Sequence, residues 1–330
     1  MRLVTLQAAA KDAVPGVIVG DWILNLALAG REIPEVAGYP HSIRAILRLG
    51  PNALSTIKRV VAKVAGDGNL AADLKEIGAL TDVSKTKLLA PIPDPTLILS
   101  CGMNYHEHLR EMNTPVPATP TAFTKNAASV IGTEEPILLP RAAPDMVDWE
   151  GEFTVVMGKP CFNVSATEAF DYVVGYTIVN DVSARDWVPG VFAAKGNMPS
   201  ILAWEHNILG KQYPTFCPMG PMLVTADEVG DVSALKLETR LNGKVMQSTS
   251  TADWVFSVPR VIEYFSKFYE LRPGDLITTG SPSGVGYGRT PKIFMRAGDV
   301  IEVEVERIGV LRNPIVACAT HPVREYCKED

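Results

Sequence analysis

The chain of 330 residues is 47% hydrophobic and 21% charged, which fits a soluble globular protein with a sizeable core in one large domain or two. Its net charge of −6 leaves no basic footprint for nucleic acid, and its five cysteines (Cys101, Cys161, Cys217, Cys318, Cys327) contain no C-x-x-C pair, against a zinc or disulfide framework. Lys11 and Asp12 cut short the apolar opening MRLVTLQAAA, and no apolar run approaches the ~18–20 residues of a membrane span, so a cytoplasmic protein is expected.

In chain order, MRLVTL, Gly16–Gly20 and Asp21–Leu26 read as three short strands. Apolar residues then recur at helical spacing from His41 to about Val64, with Pro51 at the junction of two helices. Three prolines in Pro91–Pro95 forbid a helix interior or a central strand, and the expected boundary lies here: a small N-terminal domain over 1–90 and a catalytic domain over 91–330. Thr96–Cys101 reads as a buried strand and Asn104–Met112 as the helix after it. Phe153–Met157, Val173–Val179 and Met222–Val224 are short apolar strands. Leu235–Leu241 and Lys244–Thr249 flank Asn242-Gly243, a strong hairpin signal. Val258–Phe268 is amphipathic and helical, and two Gly-Asp turns precede the strands Leu276–Thr279 and Val300–Val305. Runs of strands with few long helices indicate an α+β protein.

The stretch Val147–Lys159, VDWEGEFTVVMGK, places Glu150 and Glu152 two residues apart at the start of an apolar strand, and so on one face of it. Two carboxylates that close repel unless a cation lies between them or one is protonated. Such hard oxygen ligands suit Mg²⁺, Mn²⁺ or Ca²⁺. An isolated E-x-E is more often a solvated strand face. Asp181, at the end of a strand about thirty residues later, is the candidate third ligand; alone it equally fits a helix N-cap.

His108 and Glu111 share a helix face, and a carboxylate that orients an imidazole makes a general base; a surface ion pair is the plainer reading. Arg110 breaks the H-E-x-x-H zinc signature. Thr279–Gly286, TGSPSGVG, lacks both the G-x-S-x-G elbow and the dinucleotide fingerprint, leaving a glycine loop able to hold an anion, or a plain turn.

Together these stretches resemble the fumarylacetoacetate hydrolase family. The landmarks follow in family order from about Leu97 to Asn313: G-M-N-Y-x-x-H-x-x-E, F-x-K, D-W-E-G-E-F, N-D-V-S-A-R-D, G-K-Q-Y, N-G-x-x-x-Q and L-R-P-G-D-L-I-T-T-G-S-P-S-G-V-G. The resemblance implies a mixed β-roll or β-sandwich-like catalytic domain behind a small β-rich leader, as a homodimer. It implies that Glu150, Glu152 and Asp181 hold a metal, commonly Mg²⁺, and that His108 and Glu111 activate water. Lys211, Arg185 and Ser281 fall where the family stabilises an oxyanion or binds substrate, with Lys125 and Gln247 as further pocket positions. The implied activity is hydrolytic C–C cleavage of a 2,4-dioxo acid through an enolate. Oxaloacetate-type decarboxylation and isomerisation of hydroxymuconate-type acids are alternatives on the same scaffold, and a non-catalytic binding protein is the alternative of another class. The chain departs from the family at Val188, where many members carry glutamine, and over Pro189–Leu209, a longer segment than usual that carries Trp204, Glu205 and His206. Both departures lie beside the site and imply a substrate other than the commonest ones.

Overall fold

A computed structural model describes residues 1–8 and 12–317. Lys11, Cys318 and Cys327 lie outside the described residues. The protein is an α+β structure built on two large sheets. The first has twelve strands and is mostly antiparallel. Its centre is the strand Gly151–Met157, flanked on one side by Val173–Asn180 and on the other by Leu276–Thr278. Arg2–Gln7 pairs with Cys217–Thr225, so the ladder continues from the N-terminal strands into the middle of the chain. The second sheet has five strands and includes the hairpin Lys236–Leu241 and Lys244–Ser250, turned at Asn242-Gly243 as its sequence predicts.

The two sheets meet at Gly151, between the two glutamates. A Cβ there would lie 2.3 Å from Thr239 Oγ1 and 2.8 Å from Val303 Cγ1, so only glycine lets the sheets close. Phe153, Val155, Val303, Val305 and Leu237 bury one apolar cluster on this side. A second cluster joins Leu3, Val17 and Leu24 to the helix Pro51–Gly66, whose Ala53, Ile57, Val60 and Val64 recur every three to four residues and turn inward. Ile98, Val156, Val179 and Leu276 of the central strands belong to that same cluster.

Several elements differ from the sequence expectation. The helix expected from Asn104 begins at His106, because Asn104 bonds with its side chain to Phe256 and Thr279 while Tyr105 stays extended and bridges to Trp254. The helix expected to run to Phe268 ends at Phe265. Gly68–Glu76 is a further helix, capped by Asp67, in which Leu74 alone is buried. Pro189–Leu209 folds into two helices, Val188–Ala193 and Asn197–Leu209. Gly309–Ala317 is a strand despite Pro314. No helix among the described residues is long and apolar enough to cross a membrane.

Candidate active site

The central strands deliver the acidic residues. Glu152 lies in Gly151–Met157 opposite Val179, Glu150 immediately precedes that strand, and Asp181 follows Val173–Asn180 at the same end. Asn180 locks the two ends together: its Oδ1 accepts the Glu150 N–H at 2.9 Å, and the Asp181 N–H donates to the Glu150 carbonyl at 2.8 Å. Glu150, Glu152 and Asp181 each present a carboxylate oxygen within 4.8 Å of the others, a group that could hold a divalent metal ion.

Three buried cations surround them. Lys211 Nζ donates to Glu150 Oε2 at 2.9 Å, Asp181 Oδ2 at 2.6 Å and Ser183 Oγ at 2.8 Å. Lys125 Nζ lies 2.5 Å from Asp181 Oδ1 and donates to the Lys211 carbonyl at 2.6 Å. Arg185 bridges Asp148 at 2.9 Å and Glu150 at 2.6 Å. Burial pushes the Asp181 carboxyl up, but Lys125 and Lys211 overcome it and bring it down to about 2. Glu152 has no such cation. Its Oε2 accepts the Gly280 N–H at 2.9 Å, while its buried Oε1 meets no donor in good hydrogen-bond geometry, and the neighbouring Thr278 hydroxyl offsets its burial only in part. Burial, then the charges of Asp181 and Glu150, push its carboxyl well above the usual range. Four carboxyl groups (Asp148, Glu150, Glu152, Asp181) face three cations (Lys125, Arg185, Lys211), and Glu152 is the one left without a contacting cation and pushed toward its protonated form.

The other expected site residues gather around this cluster. Ser281, His108 and Lys211 line a cavity of about 150 Å³ together with Glu150, Asp181, Arg185, Phe123, Met112, Trp204 and Asn207. His108 Nδ1 lies 3.0 Å from Glu111 Oε2, and the Gly284 N–H donates to Glu111 Oε1 at 3.0 Å. Burial pushes the Glu111 carboxyl up, but the His108 and Gly284 bonds outweigh it and hold it below the usual range, which suits it to orient the imidazole through Nδ1. Gln247 stands behind the glycine loop: its amide donates to Ser281 Oγ and the Pro282 carbonyl, both at 2.9 Å, and its Oε1 accepts the Gly151 N–H at 3.1 Å.

Asp148 was not singled out in the sequence, although it stands in the D-W-E-G-E motif. It is fully buried and accepts the N–H groups of Gly286 and Tyr287 at 2.7 and 3.0 Å besides Arg185. It therefore ties the glycine loop to the arginine. Its place in the motif gave no sign of these bonds, because the partners lie 37 to 139 residues further along the chain.

Residues 97–316 match the protein-family model described as fumarylacetoacetate (FAA) hydrolase C-terminal. The chain belongs to the fumarylacetoacetate hydrolase family. Among relatives in this family, it is 41% identical over 277 residues to "Oxaloacetate tautomerase fahd2, mitochondrial" of Xenopus laevis, covering 84% of this chain and 79% of that one. It is 37% identical over 309 residues to "Oxaloacetate tautomerase YisK" of Bacillus subtilis, covering 91% and 95%. The fold is shared with a crystal structure of maleylpyruvate hydrolase from Sphingobium, at a TM-score of 0.71 and 25% identity over 96% of this chain and 100% of that one. The fumarylacetoacetate hydrolase fold therefore accounts for nearly the whole described chain, and the protein is an enzyme of that family.

Proposed function

We propose that this enzyme acts on 2-oxo acids whose C3 is activated by a second carbonyl at C4, the class that holds oxaloacetate and the 2,4-dioxo acids, and that it transfers a proton between their keto and enol forms. The observation that carries this reading is the carboxylate trio: Glu150 and Asp181 line the cavity with His108 and Lys211, and Glu152 converges on them from behind with one buried oxygen that meets no donor in hydrogen-bond geometry. The relatives named oxaloacetate tautomerases support the same chemistry.

Three converging carboxylates, one of which keeps an oxygen without a hydrogen bond, fit a divalent cation, and we assign Mg²⁺, whose ligand chemistry Mn²⁺ and Ca²⁺ share. Held by Glu150, Glu152 and Asp181, it supplies Lewis-acid polarisation of the 2-oxo group. Loss of the C3 proton places negative charge on the substrate oxygens. Lys211 is held by Glu150, Asp181 and Ser183, which take all three of its N–H groups, so it meets that charge by exchanging the neutral Ser183 acceptor for the substrate oxygen; such a donor contributes about 3 to 4 kcal/mol. His108, oriented through Nδ1 by Glu111, takes and returns the proton at Nε2. Met112, Phe123 and Trp204 supply apolar wall to the cavity. We take the assembly to be the family's homodimer, which light scattering checks.

The test follows enol oxaloacetate and enol acylpyruvates by their ultraviolet absorbance. Mg²⁺-dependent acceleration of the decay to the keto form is expected, abolished by EDTA and by Glu152→Ala. Decay at the buffer rate for every member in all metal conditions would overturn the reading.

The His108–Glu111 pair also favours a second reading, hydrolysis of a 2,4-dioxo acid. There His108 takes a proton from water, water oxygen bonds to C4, the C3–C4 bond breaks and C3 is protonated, giving a carboxylic acid and pyruvate. Pyruvate released from an acylpyruvate, read through lactate dehydrogenase, separates the two, since tautomerisation releases none. Hydrolysis requires that His108→Ala lose this release by about 100-fold or more.

A further inference from the structure

The cavity at the carboxylates does not end at His108. A second chamber of about 190 Å³ shares His108, Met112 and Arg185 with it and is otherwise walled by Glu111, Val188, Phe192, Val285, Tyr287 and Gly288. Its walls are mostly apolar side chains, and two of them come from the helix Val188–Ala193 that opens the long insert. The insert leans on the site in one orientation: the second helix, Asn197–Leu209, places Trp204 and Asn207 three residues apart on the face that lines the first cavity. The ring of Trp187 packs on His206 at 5.8 Å and ties that helix to the one carrying Phe192. The chamber's charged groups are already committed. Arg185 is bound to Asp148 and Glu150, and Glu111 to His108 and Gly284. A second carboxylate on the substrate would meet no unpaired cation among these lining residues and would face the Glu111 charge.

We infer that this chamber receives the C4 substituent of the substrate and that the substituent is apolar, so the preferred substrate is a 2,4-dioxo acid with an alkyl or aryl tail rather than oxaloacetate, with Val188 and Phe192 as its specificity-determining residues. The inference rests on the proposed 2-oxo acid head group at the carboxylates. At about 30 Å³ for each water-sized unit, 190 Å³ holds roughly six tail atoms. Each buried methylene raises transition-state affinity about fourfold until the chamber is full.

The experiment measures Mg²⁺-dependent kcat/KM of the full chain on oxaloacetate and on acylpyruvates from acetyl to heptanoyl and benzoyl. The wild type, Val188→Gln and Phe192→Ala are compared, and calorimetry follows binding of the head-free ketones acetone to 2-nonanone. The wild type should gain about fourfold per methylene over the first few. Val188→Gln should lose about tenfold on the long tails with acetylpyruvate within threefold, and Phe192→Ala, exposed and outside the core, should flatten the series. A flat wild-type series, or variants that scale every substrate alike, overturns the inference and leaves the head-group reading standing. If no 2-oxo acid turns over but ketone affinity rises with length and falls in both variants, the chamber stands and the head-group reading falls. Absence of both turnover and ketone binding overturns both.

Discussion

Replacing Glu152 with glutamine separates what its carboxylate costs the folded protein from what it does for a cation. Glu152→Gln keeps the side-chain shape and an oxygen to accept the Gly280 N–H. It replaces the unpartnered Oε1 with an amide N–H₂, on a side chain that shares its 4.8 Å group with the Glu150 and Asp181 carboxylates. Leaving a buried polar atom unpaired costs about 1–3 kcal/mol, so in EDTA the variant is expected to be more stable than the wild type by up to that amount, with the gain growing as pH rises and Glu152 loses its proton. Mg²⁺ at a hundredfold its Kd should stabilise the wild type by about 2.7 kcal/mol. At roughly 2–4 °C per kcal/mol for a large domain, this raises the melting temperature by on the order of 5–10 °C. The amide is a poor ligand, and the variant should lose most of that shift together with turnover. Scanning calorimetry of both proteins in EDTA and in Mg²⁺ gives the four numbers needed. A variant less stable than the wild type in EDTA, and still raised by Mg²⁺ to the same extent, would refute the reasoning.

Asp148→Asn should lower stability by about 3 kcal/mol, because the buried carboxylate carries Arg185 and two loop N–H groups at once; an unchanged urea midpoint would remove its anchoring role. Gly151→Ala should cost about 1–3 kcal/mol by pushing on Thr239 and Val303, and Thr239→Ala in the same chain should recover part of it; strictly additive losses would contradict the contact. Glu111 is held below its usual range, so its contribution is full above the unfolded value near 4.5 and is lost as pH falls through the lower folded value. Glu111→Gln should therefore cost about 1 kcal/mol at pH 7 in chemical denaturation, and the gap from the wild type should close in acid; a constant gap across that range would reject the pairing.

The elements read correctly from the sequence are those whose side chains alternate between core and solvent or repeat at helical spacing into the core. Lys236–Leu241 buries every second residue and ends at Asn242-Gly243, and Pro51–Gly66 buries one stripe. The insert helix Asn197–Leu209 has no buried residue, so no core-facing period was there to read. Gly309–Ala317 carries Pro314, whose missing N–H argues against a paired strand. The carboxylates were legible because a two-residue spacing on a strand fixes a common face, and the structure converges Asp181 on the same point. The groups behind them were less so. Asp148 and Asn180 act through bonds to distant backbone, which no local spacing reveals.

The buried charges at this site argue that it is kept for chemistry and not for stability. Lys125, Asp148, Glu150, Glu152, Asp181, Arg185 and Lys211 are all withdrawn from water, and a buried ion pair recovers its desolvation only when geometry and hydrogen bonding are nearly complete. For six of the seven they are: each cation meets an anion within 2.9 Å, and Asp148, Glu150 and Asp181 each meet at least one cation. Glu152 alone has no salt bridge and keeps one oxygen unpaired. Apolar residues in these places would pack at least as stably, and the apolar clusters on the central sheet already supply the core. The one carboxyl without a contacting cation therefore marks the point where the fold gives up stability for something it binds: alone it is pushed toward its protonated form, and a cation shared by Glu150, Glu152 and Asp181 lets it ionise.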